Sequence, residues 1–320
     1  MDLIYADDKK IDIGVMKDFT FDLAFGSDEN DFELKTTTSN HVCRSGYFLY
    51  IENTEYGGII DRIKVQTDSD TLIYKGRTWH GILASKIFEP DAGNDHLVCS
   101  GEANELIGAL ILRVGLSDIF KASHDDSGLK VKNYTMNRYI NGYEGIRKML
   151  SSANGKLKID FQNGGVVLSA VPLIDYSKDE EFDSSQINFN VEKNYRPVNH
   201  MICLGQGELK ERTVIHLYAD AQGDISYVQS IFGLDEITET YENVNSESAE
   251  ELEKGGRSAL RESWGSDKLE IDIDSIRSYD IGDIVGAREN ITGIFIARPI
   301  TKKIVTIKND AVTVSHKVGG

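Results

Sequence analysis

The chain has 320 residues, of which 40% are apolar, and a net charge of −17. The length predicts two or three domains with real cores, and the acidity argues against wrapping nucleic acid, which needs clustered Lys and Arg. No apolar run approaches the roughly 20 residues of a membrane helix. The acidic start Met1-Asp-Leu-Ile-Tyr-Ala-Asp-Asp8 lacks the pattern of a signal peptide, so the product is expected to stay in the compartment where it is made, in a bacterium the cytoplasm.

Residues 1–95 predict a first β domain. Ile11-Asp-Ile-Gly-Val15 and Phe19-Thr-Phe-Asp-Leu-Ala-Phe25 alternate as half-buried strands do. Phe32-Glu-Leu-Lys35, Tyr47-Phe-Leu-Tyr-Ile51 and residues 58–65 and 71–76 follow, with a tight turn at Asp68-Ser-Asp70. Short strands with polar turns fit a small barrel or sandwich. Trp79, Ile82, Leu83, Ile87 and Phe88 fall at helical spacing, which predicts a helix over 78–89 that Pro90 ends.

Residues 96–187 predict an α+β domain. The segment 103–114 is apolar on more than one side and reads as a buried helix. Residues 143–153 form a shorter amphipathic helix capped by Asn154-Gly155. Lys156-Leu-Lys-Ile-Asp-Phe161 and Gly165-Val-Val-Leu-Ser-Ala-Val171 read as a hairpin around Asn163-Gly164, a strong turn signal.

Residues 188–235 and 265–320 are read as one second β-barrel domain, interrupted by a helical insertion at 236–264. Ser248-Ala-Glu-Glu251 is a capping box, and the helix it opens runs to about Trp264, weakened by Gly255-Gly256. The chain closes on a meander of residues 279–285, 292–298, 302–308 and 311–317.

No nucleophile elbow or His-Glu-x-x-His occurs, and His80, His96, His124 and His200 are scattered. His124-Asp-Asp126 looks like a metal fragment but sits in a polar turn, and Asp28-Glu-Asn-Asp31 lacks calcium-loop spacing. Gly205-Gln-Gly207 leads into another strand, not a helix, so it reads as a hairpin loop and not a phosphate cradle. Cys43, Cys99 and Cys203 read as buried free thiols. Asp61 and Asp283 are the carboxylates to check for acid–base work, although both suit turn or ladder-end positions. Tyr47, Phe48, Tyr50 and Tyr56 suit a stacking platform for sugars or bases or, more simply, core and cross-strand packing. Residues 220–290 hold 18 Asp and Glu against 6 Lys and Arg, a solvated face or a wall that repels passing DNA.

Five stretches carry a family likeness. They are Tyr56-Gly-Gly-Ile-Ile-Asp61, Lys75-Gly-Arg-Thr-Trp-His-Gly-Ile-Leu-Ala-Ser-Lys86, Ala170-Val-Pro-Leu-Ile-Asp-Tyr176, Asn199-His-Met-Ile-Cys-Leu-Gly-Gln-Gly-Glu-Leu-Lys210 and Tyr279-Asp-Ile-Gly-Asp-Ile-Val-Gly286. In this order and spacing the chain resembles the siphophage tail proteins found in prophages of Gram-positive bacteria, relatives of the baseplate hub of contractile-tailed phages. The resemblance implies a mainly β, α+β chain: two tail-tube-like β-barrel domains, an intervening α+β domain and a helical insertion. It implies a virion structural protein of the tail tip or baseplate. Three subunits would present six barrels in a ring, adapting the sixfold tail tube to a threefold tip around the DNA channel. The implied partners are the tail tube or distal tail protein, the tail tip or spike, and the tape-measure protein. DNA would pass the lumen without specific binding, and no catalytic residue, cofactor or metal is implied. Some relatives carry a lytic or fibre extension, whereas this sequence ends at Gly319-Gly320, so wall hydrolysis and host binding are expected to fall to other proteins. The alternatives are a carboxylate-based glycan hydrolase, with two acids about 5–10 Å apart, or a carbohydrate-binding module acting on the host surface.

Overall fold

Alternation builds the first sheet. In the strand Thr20–Gly26, Phe21, Leu23 and Phe25 are buried, while Asp22 and Ala24 between them are not. Asn30–Thr37 pairs antiparallel with it, with Phe21 opposite Leu34 and Leu23 opposite Phe32. Thr71–Thr78, Gly57–Gln66, Phe48–Tyr50, Ile4–Ala6 and Asp12–Val15 follow in that spatial order. On the other side lies Phe295–Lys308, paired in turn with Ala311–Val318. Its register sets Val305 opposite Leu23 and Ile307 opposite Phe21, so the end of the chain completes the core begun by its start. Burying a side chain of this size contributes about 1.5–3 kcal/mol.

The computed structural model describes residues 1–179, 181–185, 187–246, 248–265, 267–274, 279–308 and 311–319. They are mainly β and fall into two compact units. One comprises Met1–Phe182, Ile271–Gly286 and Ala297–Gly319, the other Asp183–Glu270 and Ala287–Ile296.

In the first unit, α1 (Trp79–Ala84) opens where the Thr78 hydroxyl accepts from the Gly81 N–H at 3.2 Å. It is shorter than its apolar spacing predicts. The Ser85 hydroxyl donates to the Ile82 carbonyl at 2.7 Å, and Ile87–Phe88 leaves the helix to pair with Ile140–Asn141. A ladder partner outweighs the helical pattern there. Next come α2 (Ala103–Arg113) and α3 (Gly142–Ser151). α2 buries one face, Ile107, Leu110 and Ile111, and leaves Leu112 in solvent, so it is less enveloped than expected. Gly155–Gln162 and Gly165–Pro172 form the expected hairpin, in which Asn163 and Gly164 both have positive φ, 52° and 74°. That is the twist-matching turn Asn-Gly favours. Phe120–Ala122 adds to this hairpin in parallel. Trp79, Ile107, Ile146 and Leu168 share one core.

In the second unit, His200–Leu204 pairs antiparallel with Val214–Ala219 and parallel with Thr238–Glu242. α4 (Ala249–Trp264) covers this sheet, and Leu252 and Leu260 pack with Met201, Cys203 and Leu217. The expected cap is present: the Ser248 hydroxyl accepts from the Glu251 N–H at 3.1 Å. The grouping differs from the sequence expectation in two respects. The strands within 200–242 form a sheet of their own, whereas 302–308 pairs with Thr20–Gly26. Leu252 and Leu260 of α4 belong to that sheet's core. Alternation tells which face of a strand is buried and not which strand lies beside it.

The glycines of α4 also read differently in three dimensions. A Cβ on Gly256 would lie 2.1 Å from Cys203 Sγ, and one on Gly255 would lie 2.2 Å from the Tyr241 hydroxyl oxygen. They bring the helix against the sheet. In an exposed helix Gly→Ala gains roughly 1 kcal/mol. Gly256→Ala should instead lose about 1–3 kcal/mol by overpacking, measured as a lower urea midpoint.

Candidate functional site

Lys302 and Lys303 interrupt an apolar strand. Successive side chains of a strand point to opposite faces, so when Val305 and Ile307 face inward, Lys303 must too. It is 1% exposed. Its ammonium donates to Glu55 Oε1 at 2.7 Å and to Asp280 Oδ1 at 3.4 Å. The other Glu55 oxygen lies 3.5 Å from His80 Nε2 on α1. Asp280 Oδ2 accepts from Lys156 Nζ at 2.8 Å, and Lys156 also reaches both Asp283 oxygens at 2.8 and 2.7 Å. Asp283 in turn accepts from the Ile174 N–H at 2.9 Å and the Asp280 N–H at 3.1 Å. The result is a chain of alternating character: His80, Glu55, Lys303, Asp280, Lys156, Asp283.

Such a chain exists because single buried charges are too costly to leave unpaired. Burial alone would raise the Glu55 carboxyl, but the Lys303 ammonium and the His80 contact overturn it and hold the group at about 2. Burial alone would lower the Lys303 ammonium, and Glu55 and Asp280 push it up instead. Lys156 follows the same balance against Asp280 and Asp283. His80 goes the other way: burial wins over Glu55 and its pKa falls below 6.5. Its ring stacks on Phe25, with centroids 4.3 Å apart, and meets Tyr143 edge-on at 5.2 Å. His80 Nδ1 is buried with no hydrogen-bond partner among the described residues. A cavity of ≈ 220 Å³ borders Glu55, Tyr56, His80, Tyr143, Asp280 and Lys303.

Chemically this is a fastening. A general acid or base works best with a pKa near the operating pH. Here the Glu55 carboxyl is driven far below it. Asp61 is likewise committed, receiving Arg77 Nε at 2.9 Å and Nη2 at 2.8 Å. Asp283 keeps its expected turn role and adds the buried pair with Lys156. Asp126 accepts from the Gly128 N–H at 2.9 Å, a turn contact. Asp28 and Glu29 pair with Lys302 at 3.3 and 2.6 Å. Gly205 N–H donates to the Thr213 carbonyl at 2.8 Å, closing the hairpin loop read there. Phe48 and Tyr50 are buried, and Tyr47 and Tyr56 pack half-buried against the first core, so the four form no open platform. Cys43, Cys99 and Cys203 are free and buried. Among the described residues no three His, Cys, Asp or Glu side chains gather as a metal site. One contact escaped the sequence reading: His200 Nε2 shares a hydrogen bond with His216 Nδ1 at 2.8 Å while its Nδ1 meets Glu236 at 2.7 Å.

Glu55, Lys156, Asp280 and Lys303 were not singled out from sequence, and His80 was read only as one of the scattered histidines. The signal for Lys303 was present in its phase with Val305 and Ile307. Lys303→Met would leave Glu55 without its cation and Asp280 with Lys156 alone, and should cost about 3–5 kcal/mol, measured by urea unfolding. Adding Glu55→Gln should recover part of that loss. Acid should act in two windows. Burial, assisted by the Lys303 charge, also lowers His316 below 6.5. As the pH falls below 6.5 the unfolded histidines therefore bind protons before the folded ones, and stability drops. Glu55 contributes stability that is complete above 4.5 and lost as the pH falls toward about 2. Urea midpoints followed down from neutral pH should fall through both windows, and a profile flat down to 4.5 would contradict the neutral buried histidines.

No family model matches the chain, and no curated protein matches it in sequence. Solved structures do match in fold. The chain is similar to the 43 kDa tail protein of prophage MuSo2 from Shewanella oneidensis, at 11% identity and a TM-score of 0.57, over 99% of this chain and 98% of that one. It is similar to a tail protein from Neisseria meningitidis MC58, at 11% identity and 0.55, over 100% and 96%. It is also similar to prophage tail protein gp18 from Listeria monocytogenes EGD-e, at 11% identity and 0.55, over 99% and 94%. The chain has the fold of these phage tail proteins.

Proposed function

We propose that the chain is a structural subunit of a phage or prophage tail, the hub of the tail tip or baseplate. The observation that carries this reading is the end-to-end match to tail proteins, which covers nearly all of both chains. In this reading three copies form a ring that adapts a sixfold tube to a threefold tip and surrounds the DNA channel. The ring meets the tail tube or distal tail protein on one side, and the tip or spike and the tape-measure protein on the other.

Two features support assembly over catalysis. The carboxylates singled out as acid–base candidates are engaged by Arg77 and Lys156. The strand Asp12–Val15 ends the first sheet, and Ile11, Ile13 and Val15 around it are exposed. An open edge with an apolar face is a surface that assembly would cover. The surplus acid of residues 220–290 suits a lumen that DNA crosses without sticking.

Light scattering on a sizing column tests the proposal. One chain is 35.7 kDa, and a mass three times that, persisting on dilution, is expected. A strict monomer that also fails to enter the tails of an induced prophage would overturn it.

A further inference from the structure

Loop 227–234 of the second unit holds four large apolar side chains in the open. Tyr227 is 60% exposed, Val228 74%, Phe232 65% and Leu234 80%. Single exposed apolar residues are ordinary, whereas a cluster marks an interaction surface.

The loop is tied at both limbs. The Ser226 hydroxyl donates to the Val228 carbonyl at 3.3 Å and accepts from its N–H at 3.2 Å. Tyr227 lies under the Arg257 guanidinium at 5.6 Å, and Arg257 is itself fixed by the Ile225 carbonyl at 2.9 Å and Glu253 at 2.7 Å. On the far limb, buried Asn199 donates to the Asp235 carbonyl at 2.7 Å and accepts from the Ile237 N–H at 3.1 Å. Apolar groups held outward on a fixed backbone lose little entropy on docking.

Charge selects the occupant. Residues 213–253 contain ten Asp and Glu and no Lys or Arg. Among the described residues, Arg196, Arg212 and Arg257 reach this region and already face Asp235, Glu242 and Glu253. Docking the same loop of a second copy would set acid against acid. We propose that this loop docks a partner protein whose apolar pocket is rimmed by Lys and Arg. The proposal rests on the reading of the chain as an assembly subunit.

The test titrates the full chain with an amphipathic Lys/Leu peptide and with its Glu/Leu counterpart. The Lys/Leu peptide should bind at least about tenfold more tightly, and Phe232→Ser with Leu234→Ser should remove about tenfold of that affinity. Added salt should weaken the binding. Equal binding of both peptides, or binding unchanged in the variant, would overturn the proposal. Leu234→Ser alone repeats the test should the double variant misfold. The solution mass of each variant separates this idea from the hub reading. An unchanged mass with lost peptide binding supports the docking loop. A reduced mass would assign the loop to contacts between copies and overturn it.

Discussion

A strand cannot choose which of its side chains face the core, and Lys303 is caught by that rule. Once Val305 and Ile307 are buried, the lysine two positions earlier must enter the same interior. The structure answers with Glu55 and Asp280, then Lys156 and Asp283. These residues come from a loop near the start of the chain, from the α+β region and from the approach to the closing strands. Hydrophobic pairing alone would tolerate a slip of two residues along Thr20–Gly26, because the apolar phase is kept. One such slip would place Val305 against Glu55, and either would leave Lys303 without its acids. A buried pair contributes little net stability, and its physical value here is to allow one register.

Much of the local structure was legible because it depends on neighbouring residues. The Asn163-Gly164 turn, the Ser248 cap, the helix of 142–151 and the alternating strand of 20–26 each carry their cause within a few positions. Ile87 and Phe88 did not, because their partners Ile140 and Asn141 lie far along the chain. Gly255 and Gly256 look like defects until Tyr241 and Cys203 stand against them. The ion chain was the least legible part. Asp283 was singled out as an acid–base candidate that also suits a turn, but Lys156 lies 127 positions away. No spacing rule links the two.

The same chemistry bears on function. Glu55, Lys156, Asp280, Asp283 and Lys303 are paired with one another, while apolar side chains remain outside on Asp12–Val15 and on loop 227–234. Apolar surface at an edge and a loop supports the proposed assembly with other proteins. That distribution agrees with a fold shared along its whole length with phage tail proteins.

Amide hydrogen exchange on the chain and on its Glu55→Gln variant tests most directly whether the Lys303 network fastens the closing strand to the first sheet. Segments that form one cooperative unit open together. The account requires residues 20–26 and 302–308 to show matching opening free energies in the native chain, and to lose protection together in the variant. Independent, much faster exchange of 302–308 beside a protected 20–26, or no change on removing the Glu55 charge, would contradict it.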